Sequence, residues 1–270
     1  MNEKAKELLG KAKYDFADLC RVMEILRGEG GCPWDREQTH ESIRKNFIEE
    51  TYEVVEAIDT KDAHLLCEEL GDVLLQVVFH TQIEREAGRF TIDDVTDGIV
   101  KKLIYRHPHI FADTTAETAE TVLDNWDKLK AKEKHRDTVT ASMRSVPRPL
   151  PALMRAEKVG KRAAKVGFDF ATAADAAVKI AEETNEVLTA TDATRAEEVG
   201  DLLFAAVNVA RKCCVDPERA LSGATDKFID RFAAVEDAVR ADGKRMEDLP
   251  LSVLDTYWDR VKANRNGENT

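Results

Sequence analysis

An all-α fold, built as two copies of one helical-bundle unit, is what this sequence predicts. Three observations predict it. Ala, Glu, Leu, Lys and Arg are abundant while Gly and Pro are sparse, at 13 and 7 of 270 residues, a mix that favours helix. Apolar residues recur at helical spacing, with no run of strand-type alternation. And a pair of acidic phrases, "EETYEVVEA" from Glu49 and "EELGDVLLQVVFH" from Glu68, returns as "EETNEVLTA" from Glu182 and "EEVGDLLFAAVNV" from Glu197.

In the first half, apolar spacing and stop signals predict helices over roughly 3–28, 41–59, 63–87, 92–106 and 117–135. "GGCPWD" breaks the first from the second. Thr91 is suited to cap the fourth, and "HPH" with Pro108 ends it. In "TASMRSVPRPLPALM", Pro147, Pro149 and Pro151 cannot sit in a helix interior, so residues 138–151 read as a linker. Helices resume over roughly 152–165, 173–190, 194–213, 217–241 and 250–265, with Asp216 as a cap and Pro217 at a first helical position. The expected division is therefore a unit over 1–137, the linker, and a unit over 152–270.

The second half answers the first in order. "CPWD" is matched by "VGFDF", the two acidic phrases recur, "KLIYR" is matched by "KFIDR", and "VLDNWDKLK" by "VLDTYWDRVK". Five matched features in one order predict a tandem duplication.

The chain is 43% hydrophobic, enough to bury a core, and carries a net charge of −12. That charge argues against nucleic acid or an anionic membrane surface as a partner, but not against a phosphorylated small molecule, because bound cations invert a local field. No apolar run approaches the ~20 residues of a membrane span. The N-terminus lacks the apolar core of a signal peptide. Five cysteines with no CxxC pair predict free thiols in a reducing cytoplasm.

Glu50 and Glu53, Glu69 and Asp72, Glu183 and Glu186, and Glu198 and Asp201 are each three residues apart, so each pair shares a helix face. One acidic cluster alone reads as a solvated face. The helix carrying Asp201, however, is apolar almost all round apart from Glu198, Asp201 and Asn208, and should be buried. The helix carrying Asp72 has the same character, with Glu69, Asp72 and Gln76 on one strip. Buried carboxylates with few basic residues on their own helices call for a cation. A di-iron bundle would add Glu-x-x-His, which neither phrase contains. All-oxygen ligands favour Mg²⁺, with Mn²⁺ able to substitute.

Lys227 and Arg231 are one turn apart and can contact phosphate together. Trp258 with Lys262, and Trp126 with Lys130, each set an aromatic ring near a base, an arrangement suited to a nucleobase and a phosphate tail.

With these residues the chain resembles the MazG family of nucleoside triphosphate pyrophosphohydrolases, whose signature is E-E-x-x-E, a spacer, then E-x-x-D. It stands here as "EETYE" with "ELGD" and as "EETNE" with "EVGD", beside "CPWDREQTH", "RHPHIFAD", "PALMRAEKVGKRAAKVGFDF" and "KFIDRF". The resemblance implies an all-α homodimer that requires Mg²⁺. It also implies hydrolysis of ribo- and deoxyribonucleoside triphosphates, with broad base range, to monophosphate and pyrophosphate, and a role in nucleotide-pool housekeeping. Carried over by motif, Glu183, Glu186, Glu198 and Asp201 are metal ligands of the second unit, with Glu182 beside them. Lys227 and Arg231 are triphosphate contacts, and Asn208, Trp258 and Lys130 nucleotide contacts. The first unit keeps Glu49, Glu50, Glu53, Glu69 and Asp72 but has Phe79 where the second has Asn208. Two other readings stay open: a non-catalytic nucleotide-binding regulatory module, and a hydrolase narrow for one nucleotide or another phosphoanhydride.

Overall fold

A computed structural model describes residues 3–112, 118 and 138–267. Among the described residues the regular structure is entirely helical, and the chain divides into two compact units, Met1–Lys130 and Ala131–Thr270. The expected helix over 117–135, with Trp126 and Lys130, lies outside the described residues.

The first unit contains α1 (Glu3–Leu9), α2 (Phe16–Arg27), α3 (Pro33–Glu37), α4 (His40–Thr60), α5 (Ala63–Glu86), α6 (Ile92–Arg106) and α7 (Pro108–Phe111). The single helix expected over 3–28 is two helices. Asp15 starts the second: its side chain accepts from the Asp18 amide, and the Asp18 carboxylate accepts from the Asp15 amide and from Lys11 Nζ at 2.6 Å. An Asp at both ends of this reciprocal cap hides it from a search for Ser or Thr followed by Glu. "CPWD", read as a break, starts α3 with Pro33 at its first position. Thr91 caps α6 in a reciprocal pair with Asp94, and α6 stops at Arg106 before Pro108.

Lys61, at φ 57°, and Asp62, whose carboxylate accepts from the His64 and Leu65 amides, make the tight turn that folds α5 back along α4. Met23 of α2, Ile43 of α4, and Val78 and Phe79 of α5 form the core of this unit.

At the far end of α5, His40 and His80 stack with ring centroids 5.0 Å apart and share a hydrogen bond between their Nδ1 atoms at 2.7 Å. His40 Nε2 also meets Glu84, which Arg89 grips with two nitrogens. Arg89 and then His40 hold the Glu84 carboxyl down at about 2. A free glutamate titrates near ~4.3, so on acidification the unfolded chain takes up the proton first. The stabilisation is complete above about pH 5 and is lost as the pH falls toward the folded value. Glu84→Gln is expected to flatten the decline of the urea midpoint across that window. A decline as steep as in the wild type would remove Glu84 from the account.

The second unit contains α8 (Val139–Arg144), α9 (Ala152–Ala164), α10 (Ala173–Thr189), α11 (Arg195–Lys212), α12 (Pro217–Ala241), a 3-10 turn (Met246–Asp248) and α13 (Leu251–Gly267). The stretch read as a linker holds α8. Thr138 caps it, Val146 behind it is 2% exposed, and Arg162 of α9 donates to Ser142 O and Ser145 Oγ. Its three prolines follow α8 and lead into α9, so they bound helices and interrupt none. Asp216 accepts from the Arg219 amide and Pro217 opens α12. α10 and α11 lie against each other as α4 and α5 do, α9 packs on α11, and Val235, Val239 and Tyr257 form a core between α12 and α13.

The expectation that α11 is buried all round is corrected within this chain. Val199, Leu203 and Phe204 are 40%, 51% and 39% exposed. α9 and α10 cover it on two sides only, and α12 touches it lightly. On α5, Leu70 and Leu74 are likewise exposed.

Candidate functional site

Each hairpin of acidic helices gathers three carboxylates. In the first unit, Glu50 of α4 and Glu69 and Asp72 of α5 each offer an oxygen, all within 4.8 Å of one another. Glu53 lies outside that grouping, exposed, but interacts with both Glu50 and Glu69. Burial, then Glu53 and Asp72, push the Glu50 carboxyl above the usual carboxylate range. Burial and Glu53 do the same to Glu69.

In the second unit, Glu183 and Glu186 of α10 and Glu198 of α11 meet the same 4.8 Å condition. Glu183 is 4% exposed. One of its oxygens accepts from Lys179 Nζ at 2.8 Å; the other, Oε2, is buried with no hydrogen-bond partner. Lys179 holds Glu183 below its usual range, and the Glu183 carboxylate in turn pushes Glu186 up. Glu182 is exposed and accepts from Lys179 at 2.7 Å, as Glu49 does from Lys45 at 2.9 Å. Asp201 is exposed, one turn beyond Glu198, and outside the grouping.

The donor set fits a hard divalent cation. It is all oxygen and drawn from two helices held by one turn, and neighbouring carboxylates help push Glu50, Glu69 and Glu186 above the usual range. In the second unit it also leaves a buried oxygen unsatisfied, which carries a desolvation cost until a cation or donor reaches it. Lys179 is the residue that reasoning on composition passed over. It stands four positions before Glu183, a spacing that identifies it as the partner of the acid.

The remaining expected contacts are placed as follows. Lys227 is exposed on α12. Arg231 is half-buried, and its Nε is buried without a hydrogen-bond partner. Trp258 packs against the Val235–Val239–Tyr257 core with its ring centroid 5.2 Å from that of Phe228. Phe228 lies between Lys227 and Arg231 in sequence, so Trp258 packs on the middle stretch of α12 that carries them.

Asn208 is buried in a polar network. Its Nδ2 donates to Phe204 O at 3.2 Å, and its Oδ1 accepts from an Arg211 terminal nitrogen at 3.1 Å. Arg211 in turn donates to both Asp169 oxygens, and Lys212 reaches Asp169 at 3.3 Å. These contacts hold the Asp169 carboxyl well below the usual range, Arg211 most of all. The network joins residues 42 apart in sequence, so no helical spacing reveals it. Phe79, at the matching place in the first unit, is 5% exposed in its core, with the Arg27 guanidinium 5.3 Å from the ring centroid.

Gly160 of α9 is what lets this network close. A Cβ there would lie 3.2 Å from Asn208 Oδ1 and 3.3 Å from Arg211 Nε. Alanine in a helix interior ordinarily gains about 1 kcal/mol over glycine. Here the braced pair cannot retreat, so Gly160→Ala is expected to melt no higher than the wild type. A melting temperature raised by the full helix-propensity gain would show that the network yields.

The chain is similar to known proteins over most of its length. A family model described as the MazG nucleotide pyrophosphohydrolase domain matches residues 38–111, which contain the first acidic hairpin. The chain is 45% identical over 249 residues to the nucleoside triphosphate pyrophosphohydrolase/pyrophosphatase MazG of Thermotoga maritima, covering 92% of this chain and 96% of that one. It is 44% identical over 251 residues to the nucleoside triphosphate pyrophosphohydrolase of Escherichia coli K12, covering 90% and 95%. With the enzyme of that name from Mycolicibacterium smegmatis it shares 36% over 239 residues, covering 87% and 63%.

Proposed function

Because this chain belongs to the MazG nucleotide pyrophosphohydrolase family, we propose that it hydrolyses nucleoside triphosphates to monophosphate and pyrophosphate, with Mg²⁺ held by its acidic hairpins. The observation that carries this reading is the second unit's carboxylate group, in which Glu183 presents a buried, unpartnered oxygen beside Glu186 and Glu198. Glu183, Glu186 and Glu198 would hold the ion there, with Asp201 at the exposed rim. Glu50, Glu69 and Asp72 would hold it in the first unit, with Glu53 beside them. A divalent ion so bound supplies a Lewis acid for phosphoryl oxygens and lowers the pKa of water.

The chain's own groups do the rest. Lys179 pairs with Glu182 and holds Glu183 ionised. Glu182, left over from the grouping but on the same turn, accepts the proton of the attacking water. Lys227 and Arg231 bind the triphosphate and stabilise the charge that develops on the departing pyrophosphate. Trp258 flanks them, and Lys130 is carried as a further contact on the family's pattern. The broad base range, the housekeeping role and descent by tandem duplication belong to the same proposal.

A homodimer is also proposed. Phe228 and Ile229 of α12, and Val178 and Leu188 of α10, are more than half exposed, and a second copy would cover such surface. Sedimentation at micromolar concentration is expected to give twice the chain mass. The chain mass alone would contradict it. Among the described residues no helix is long and apolar enough to cross a membrane.

The test of the reaction is a panel of ribo- and deoxyribonucleoside triphosphates with Mg²⁺, in assays free of pyrophosphatase. Pyrophosphate from several of them, and none with EDTA, is expected. Orthophosphate as the primary product would overturn the assignment, and turnover of a single nucleotide would confine the range.

A further inference from the structure

Gln76 of α5 carries a buried polar group that the described residues leave unsatisfied. The residue is 7% exposed, and its Oε1 is buried with no hydrogen-bond partner. We propose that this oxygen completes the first unit's cation site, joining Glu50, Glu69 and Asp72 as a neutral fourth oxygen. The proposal rests on the metal reading of those acids given above.

Position is the first argument. Gln76 follows Asp72 by four residues and Glu69 by seven on one helix, so the three share a face. Helical side chains lean toward the N-terminus and cover the turn before their own. For Gln76 that turn carries Asp72, so the amide leans toward the acidic grouping.

The second argument is the chemistry of the neighbours. An amide oxygen only accepts, and so does an ionised carboxylate, so neither Glu69 nor Asp72 can satisfy Gln76 Oε1. His80, one turn further on, shares its Nδ1 with His40 at 2.7 Å. A buried acceptor left alone carries a desolvation cost. A divalent ion, or a water that it carries, would remove that cost, and side-chain amide oxygens are ordinary ligands of hard cations.

The third argument is charge. Three carboxylates already offer oxygens within 4.8 Å of one another. A fourth would add repulsion, where an amide adds only a ligand. The second unit differs at two matching points. Lys179 stands four positions before Glu183 and pairs with it, whereas Asn46 stands four before Glu50. At the place of Gln76 it has Ala205, 4% exposed. The second unit thus moderates its acids with an ammonium, and the first with a cation from solution and one more oxygen to hold it.

The test is Mn²⁺ titration by electron paramagnetic resonance on the full chain carrying Glu183→Ala with Glu198→Ala, which leaves the first-unit site to be read alone. Adding Gln76→Met keeps the length of the side chain and removes its oxygen. It is expected to weaken Mn²⁺ binding by about tenfold or more, the scale for losing a group that supports a metal site, while the metal-free protein melts no lower. Gln76→Glu returns an oxygen and is expected to restore the affinity. Unchanged Mn²⁺ affinity in Gln76→Met would overturn the proposal. A lower metal-free melting temperature in Gln76→Met would also overturn it, since the oxygen would then have a partner within the fold. An equal loss in Gln76→Glu would mark the effect as one of packing, with the same result. Should the parent with Gln76 intact hold no Mn²⁺ tightly, the metal reading of the first unit falls, and the proposal with it.

Discussion

Glu183→Gln is expected to lower triphosphate hydrolysis by roughly 10²-fold or more, beyond the 10–100-fold typical of losing a group that merely supports a metal ligand. The amide keeps the shape of the side chain and an oxygen for Lys179. It removes the negative charge and replaces the buried, unpartnered Oε2, or its neighbour, with an N–H that repels a cation. If Mg²⁺ is held as proposed, it is expected to raise the melting temperature of the wild type, as any ligand of the folded chain alone does, and to raise that of the variant by clearly less. The matching change in the first unit, Glu50→Gln, is expected to cost less activity. Its hairpin has the acids, but Phe79 is committed to the core beneath Arg27 where the second unit offers Asn208. Full activity in Glu183→Gln, with folding intact by circular dichroism, would remove the second unit from the chemistry. A larger loss in Glu50→Gln would reverse the order of the units.

Arg231→Ala is expected to reduce kcat by about 10²–10³-fold, the scale for losing one pre-organised group that meets charge developing in the transition state. The residue is half-buried on α12, and its Nε has no hydrogen-bond partner. A guanidinium so placed has already lost part of its hydration, and an arriving phosphate restores what it lacks. Lys227, exposed one turn earlier, has free solvent about it and is expected to contribute less, chiefly to KM. A change confined to KM in Arg231→Ala would make it a ground-state contact only.

The helices were legible because their ends carry short-range chemistry: Thr91 with Asp94, Asp216 before Pro217, Pro108 after Arg106. The break at residues 10–15 was not, since its cap is two aspartates that resemble any charged turn. Spacing puts each acidic pair on one helix face, because residues three apart share a face whatever surrounds them, but it does not say which acids of two helices meet, and Glu53 and Asp201 fall outside the groupings. Exposure did not follow. An apolar circumference on α11 says that something should cover it, and does not say that one chain supplies the cover. The Asp169–Arg211–Asn208 network was invisible for a different reason. Its register depends on how closely α9 approaches α11, which Gly160 decides, and no local pattern in either segment encodes that distance.

The central claim is that the two acidic groupings are divalent-metal sites. Mn²⁺ titration followed by electron paramagnetic resonance tests it most directly, on the wild type and on Glu50→Ala with Asp72→Ala, Glu183→Ala with Glu198→Ala, and all four changes together. Each pair is predicted to remove its own share of bound Mn²⁺, and the fourfold variant to leave only weak surface binding. Undiminished tight Mn²⁺ binding in a folded fourfold variant would contradict the claim.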